Sequence, residues 1–167
     1  MNTPNRKRSG RAAYIAVFAG LIAVDQAIKY LVASHMKLGE SIAVIGDFLH
    51  IRYLVNYGIS FSLFEGHPSL VIAIQTAIFV VLGITFIVLY RGMAAAVQIL
   101  VGFAITLAGG VGNLIDRYVH GYVIDYISVL SFPVWNFADM CIIGGCVLIA
   151  LCLILDSIES TRRSNDS

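Results

Sequence analysis

A chain of 167 residues has room for one domain. Only 13% of it is charged, about half of the roughly 25% usual in a soluble globular domain, while 59% is hydrophobic. With a mean hydropathy of +0.86, most of its surface is not made for water. A net charge of +1, with no long basic run beyond the N-terminus, gives no footprint for nucleic acid and leaves an integral membrane protein.

Arg6, Lys7, Arg8 and Arg11 open the chain, and an apolar run over residues 12–34 follows. That run is too long for a cleaved leader, holds Asp25 and Lys29, and has no A-x-A-like site, so it reads as the first spanning helix. Residues 35–67 form an outer, non-spanning segment. Within it Leu49, Ile51, Tyr53 and Val55 alternate with His50 and Arg52, the period of a half-buried strand. Gly46-Asp47 and Tyr57-Gly58 bound that strand as turns, and Ile59, Phe61 and Leu63 alternate again with Ser60 and Ser62. A small sheet resting on the outer membrane surface is expected, its polar face carrying Asn56.

The second and third spans are predicted at residues 69–90 and 93–115. Ala104, Ala108 and Gly112 repeat at the small-xxx-small spacing that lets helices approach in lipid, although an Ala- and Gly-rich helix also gives that spacing by chance. The outer segment 116–133 carries Tyr118, Tyr122, Tyr126 and Phe132, aromatics of the interfacial kind, and with Gly121 it is long enough to act as a mobile flap. The fourth span is predicted at residues 134–155, and a short polar tail, frayed from Ser157, ends the chain. The expected fold is therefore an all-α membrane protein, a four-helix transmembrane bundle with a small extracytoplasmic β-sheet and outer loop, forming a single domain over residues 1–167.

Arg6, Lys7, Arg8, Arg11, Arg91, Arg162 and Arg163 flank one set of helix ends, against Lys37, Arg52 and Arg117 in the other loops. The positive-inside rule then puts both termini in the cytoplasm. At about 1.5 Å per residue, Asp25 lies about 20 Å along the first helix and Lys29 about 6 Å further. Asn113 and Asp116 end the third helix, and Asn136 and Asp139 precede the fourth, so separate pieces of chain bring charge to one outer level. An ionisable group held at such a depth is a functional-site hypothesis by default.

Two neighbouring carboxyls do not easily ionise together, so one keeps a proton while the other acts as a base. Such a pair can activate water and protonate a leaving amine without metal or covalent intermediate. Asp125 and Asp139 suit that work. Taken singly, Asp139 also suits a helix cap and Asp125 a solvated loop carboxylate. Asp116, followed at once by Arg117, reads as an ion-pair or capping residue, and Asp25 with Lys29 as an i,i+4 salt bridge. Cys141, Cys146 and Cys152 read as small apolar residues, and His35, His50, His67 and His120 lack ligand spacing, so no metal and no cofactor is expected. A small proton-coupled transporter and a non-catalytic membrane scaffold are the competing classes.

The ordered blocks VDQAIK (residues 24–29), NYGISFS (56–62), GNLIDR (112–117), VIDY (123–126) and WNFAD (135–139) resemble those of the bacterial lipoprotein signal peptidases, or signal peptidase II. The resemblance implies a four-helix inner-membrane aspartyl endopeptidase. Its substrate would be a diacylglyceryl-modified prolipoprotein, cut just before the lipidated cysteine. Membrane lipids would be its surroundings and the cyclic peptide globomycin its inhibitor. It further implies that Asp125 and Asp139 are the catalytic pair, that Asn56, Asn113, Arg117 and Asn136 hold the peptide or orient the pair, and that Asp25, Lys29 and Asp116 support them. Tyr57, Ile59 and Ser60 stand where that family usually has Thr, Ala and Ala, and Trp135 and Met140 replace a usual Phe and Ser, so the substrate groove departs from the pattern while the aspartates keep to it.

Overall fold

The computed structural model describes residues 4–58, 66–92 and 97–165. In chain order these form α1 (Pro4–His35), β1 (Ser41–Ile45), β2 (Leu49–Asn56), α2 (Pro68–Gly92), α3 (Val97–His120), β3 (Val123–Val129) and α4 (Phe137–Asn165). The expected second strand over residues 59–63 lies outside the described residues.

All four helices contain stretches long and apolar enough to cross a membrane: Tyr14–His35, Pro68–Arg91, Val97–His120 and Phe137–Arg163. They are not equivalent. Over half of the α3 span is buried, 56%, against 17% or less of the others, because α3 packs against α1, α2 and α4 at once. Small residues make that possible. Ala104, Ala108, Gly109 and Gly112 are all buried, and a Cβ on Gly109 would run into the backbone carbonyl of Ala138 on α4. The outer faces keep large apolar residues such as Ile84, Val88 and Leu151 exposed, as a lipid-facing surface requires.

At one end of the bundle the three strands form an antiparallel sheet in the order β1-β2-β3. Arg52 pairs with Ser41 on one side of β2, while Leu54 pairs with Asp125 and Asn56 with Val123 on the other. Val32 of α1 packs with Ile124 and Tyr126 of β3, joining the sheet to the bundle.

The small sheet expected in residues 35–67 is present, and its third strand corrects the expectation for residues 116–133. Residues 116–133 do not form a free loop: α3 continues through Asp116 and Arg117 to His120, and β3 follows. Nothing in the sequence stops α3 until Gly121, whose φ of 82° and N–H bond to the Arg117 carbonyl, at 3.0 Å, terminate the helix. β3 escaped notice because Val123, Ile124, Asp125 and Tyr126 are all buried, which removes the alternation that marks a half-exposed strand. Likewise the tail after Ser157 is not frayed but helical to Asn165, with Ser160 and Thr161 hydroxyls donating to the Ser157 carbonyl.

Candidate active site

The first turn of a helix leaves its N–H groups without intrahelical partners. In α4 other elements supply them. Phe137 N–H donates to the Tyr126 hydroxyl at 3.1 Å, Ala138 N–H to Asp25 Oδ1 at 3.0 Å, and Asp139 N–H to Asn136 Oδ1 at 3.0 Å. Asp139 Oδ2 in turn accepts from Asn136 N–H at 3.2 Å, completing a reciprocal capping box. The capping role considered for Asp139 is therefore real, and it uses only one of its oxygens. Oδ1 faces Asn113, whose amide donates to it at 2.7 Å.

Asp125 is brought to the same place by strand register. It pairs with Leu54, so Asn56, two residues on, is its diagonal neighbour on one face of the sheet. Asn56 Nδ2 donates to Asp125 Oδ2 at 2.9 Å, and Asn136 Nδ2 donates to Asp125 Oδ1 at 2.7 Å. Asn136 therefore touches both carboxyls, one through its side chain and one through its backbone. Among the described residues, the hydrogen bonds that reach the two carboxyls all come from neutral amides, and no ion pair reaches either.

Burial pushes the Asp125 carboxyl up to about 6; the Asn56 hydrogen bond opposes this, the charge of Asp139 adds to it, and Asn136 and Lys29 lower it again. Burial also pushes the neighbouring Tyr126 phenol up to about 12, which keeps it a neutral hydroxyl.

Behind this pair sits a compensated ionic group. Lys29 Nζ lies 2.8 Å from Asp25 and 2.9 Å from Asp116, and all three side chains are almost wholly buried. The Asp25–Lys29 salt bridge is as expected. Asp116 pairs with Lys29 and not with Arg117, since adjacent residues on a helix do not face each other. Its Oδ2 also accepts from Ile124 N–H at 3.2 Å, which ties α3 to β3. Gly112 makes room for Asp25, because a Cβ there would lie 2.6 Å from Asp25 Oδ2. Lys29 further donates to Asn113 Oδ1 at 3.0 Å, so Asn113 relays between the ionic group and Asp139.

Three partners had not been singled out. Gln26 Nε2 donates to Asp116 Oδ1 at 3.0 Å; Gln75 Oε1 accepts from Arg117 Nη1 at 2.7 Å; and the Gly58 carbonyl accepts from Arg117 Nη2. The signal was present in both glutamines, each a polar side chain within a spanning run, Gln26 beside Asp25 and Gln75 amid apolar residues and Thr76.

Asp125, Asp139, Asn56, Asn113 and Arg117 all line one cavity of about 730 Å3, whose remaining wall is mostly apolar, with Ile74, Ile78, Phe79, Val134 and Ile142 among its residues. No group of three or more His, Cys, Asp or Glu among the described residues could hold a metal ion. The arrangement offers two buried carboxyls, amide donors to orient them, and an apolar trough leading to them.

A family model described as Signal peptidase (SPase) II matches residues 17–155. The chain belongs to the signal peptidase II family. A lipoprotein signal peptidase of Moorella thermoacetica is 33% identical over 144 residues, covering 86% of this chain and 93% of that one. One from Enterococcus faecalis is 34% identical, covering 91% and 94%. A solved structure described as a bacterial membrane enzyme superposes with a TM-score of 0.78 at 28% identity, covering 87% of this chain and 90% of its own. This signal peptidase II family member is accordingly a multi-pass membrane protein with four spanning helices and a small antiparallel sheet.

Proposed function

We propose that the chain is an aspartic endopeptidase that removes the signal peptide from diacylglyceryl-modified prolipoproteins, cutting before the lipidated cysteine. The observation that carries this reading is the pair Asp125 and Asp139, bridged by Asn136 and, among the described residues, in no ion pair, at the wall of a mostly apolar cavity. Lipoprotein signal peptidases are what its relatives are named, and the cavity's chemistry suits a lipid-bearing peptide.

In this mechanism a water held between the two carboxyls attacks the scissile carbonyl. The ionised aspartate takes the water's proton while the protonated one hydrogen-bonds the developing oxyanion; as the tetrahedral carbon collapses to the carboxyl product and the C–N bond breaks, that one proton passes to the leaving amine. The proton belongs to the pair rather than to either residue. Asn56, Asn113 and Asn136 fix the carboxyls, and Arg117, held by Gln75 and the Gly58 carbonyl, offers donors to the peptide backbone. The bundle lies in the bacterial inner membrane with both termini cytoplasmic, so the pair operates near the outer face, and the substrate enters sideways with its acyl chains remaining among lipids. Globomycin competes for the same cavity.

The test is cleavage of a lipidated prolipoprotein by the purified chain in reconstituted membranes. Asp125→Asn and Asp139→Asn each abolish the reaction while the protein still folds. Normal turnover by either variant would sink the dyad, and substrate-coupled proton flux without proteolysis would favour a transporter.

A further inference from the structure

Among the described residues, two buried side-chain nitrogens have no hydrogen-bond partner: Arg117 Nε and Trp135 Nε1. Both residues line the cavity that holds Asp125 and Asp139. Unpaired buried donors are rare in folded proteins, and each asks for a reason. Both belong to residues in the wall of one cavity, where an acceptor carried by whatever the cavity binds would satisfy them.

Trp135 is the more informative of the two because its polar capacity is a single N–H with no acceptor. Its backbone is fixed. The N–H donates to the Ile127 carbonyl at 3.0 Å, and its carbonyl accepts from Ile127 N–H at 2.7 Å and Tyr126 N–H at 2.9 Å. The indole ring is only partly buried, whereas its N–H is sealed from solvent, so a ligand in the cavity reaches that N–H only when the ring turns. Phe132, Pro133, Val134, Ile142 and Ile143, which line the same cavity, offer no side-chain acceptor. A phenylalanine would cover this wall without leaving a donor unpaired, so packing alone does not account for an indole here.

Resting on the peptidase reading above, we propose that Trp135 is a specificity-determining residue whose indole N–H donates to a carbonyl oxygen of the substrate seated in this cavity. That oxygen belongs either to the peptide backbone of the signal segment or to an ester of the diacylglyceryl group.

The experiment replaces Trp135 with β-(3-benzothienyl)alanine, which keeps the bicyclic shape and removes the N–H, and measures cleavage of a diacylglyceryl-modified prolipoprotein in reconstituted membranes. Loss of one hydrogen bond raises KM about three- to tenfold, with a smaller effect on kcat. Because Trp135 is the sole tryptophan, 15N-indole labelling gives one resonance. That resonance moves downfield when uncleaved substrate is added to the Asp125→Asn chain. A dialkyl ether analogue of the substrate then separates the sources: if the KM difference disappears with the ether, the acceptor is an ester; if it persists, the acceptor is a peptide carbonyl. Equal KM values for the two proteins, or an indole resonance that substrate leaves unmoved, overturn the assignment. Absence of cleavage by the unsubstituted chain would instead overturn the peptidase reading.

Discussion

Asp25 and Asp116 pair with Lys29, whereas among the described residues Asp125 and Asp139 are held by asparagine side chains and a backbone N–H alone. Both groups are buried at the same end of the bundle, joined through Asn113, and yet they solve the problem of a buried carboxyl in opposite ways. The first sets a partner cation between its two carboxyls. The second leaves the penalty of burial standing, and the raised pKa of Asp125 is its direct consequence. A compensated group organises the fold. An uncompensated one is ready to exchange a proton.

The largest contrast follows from removing charge on each side. Asp125→Asn and Asp139→Asn remove the acid–base pair and lower kcat on the order of 10^4-fold in the prolipoprotein assay, with the unfolding temperature held near or above that of the parent chain. Lys29→Met does the reverse damage: two buried carboxylates lose their cation, and stability falls by about 3–5 kcal/mol in a denaturant titration in detergent. If Lys29→Met left stability intact and only slowed turnover, the division between the two groups would fail.

A pH series sharpens the comparison. For Asp125 the raised pKa means that the folded chain prefers the protonated acid. Its contribution to stability is complete below the ordinary carboxylate range of about 4 and is lost as pH rises through about 6. Activity follows the same proton: the pair works with one carboxyl ionised and the other protonated, and the charge of Asp139 already helps to raise Asp125, so kcat/KM falls on the alkaline side with a midpoint near 6. Asn56→Ala removes a hydrogen bond that favours the ionised form, so this alkaline midpoint moves upward in the same pH series. At the small end, Glu159 and Arg163 form an ion pair whose side chains are 64% and 78% exposed. Arg163→Ala changes stability by less than about 0.5 kcal/mol, as a solvated pair without a function should.

Much of this contrast could be read from the sequence, because depth in a membrane is encoded by distance along a helix. Asp25, Lys29, Asn113 and Asp139 met where the span boundaries put them. The partner of Asp116 could not be read the same way: Arg117 is adjacent in sequence, yet helical geometry turns it toward α2 and the Gly58 carbonyl and leaves Lys29, on another helix, to meet Asp116. Gln26 and Gln75 were overlooked because a neutral amide raises no alarm in a charge count. The strands β1 and β3 were missed for opposite reasons, the first exposed and the second buried at four successive positions, so that neither shows alternation.

Asn136 was described as the cap of α4 and as the bridge between the two carboxyls. Its joint duties restrict what can ever replace it. Aspartate would preserve the cap and place a third carboxyl against the pair; serine would preserve the cap and fall short of Asp125; alanine would forfeit both. In a map of tolerated substitutions this position forms an island with no neutral route off it, because the start of a helix and the alignment of a reaction have been written into the same amide.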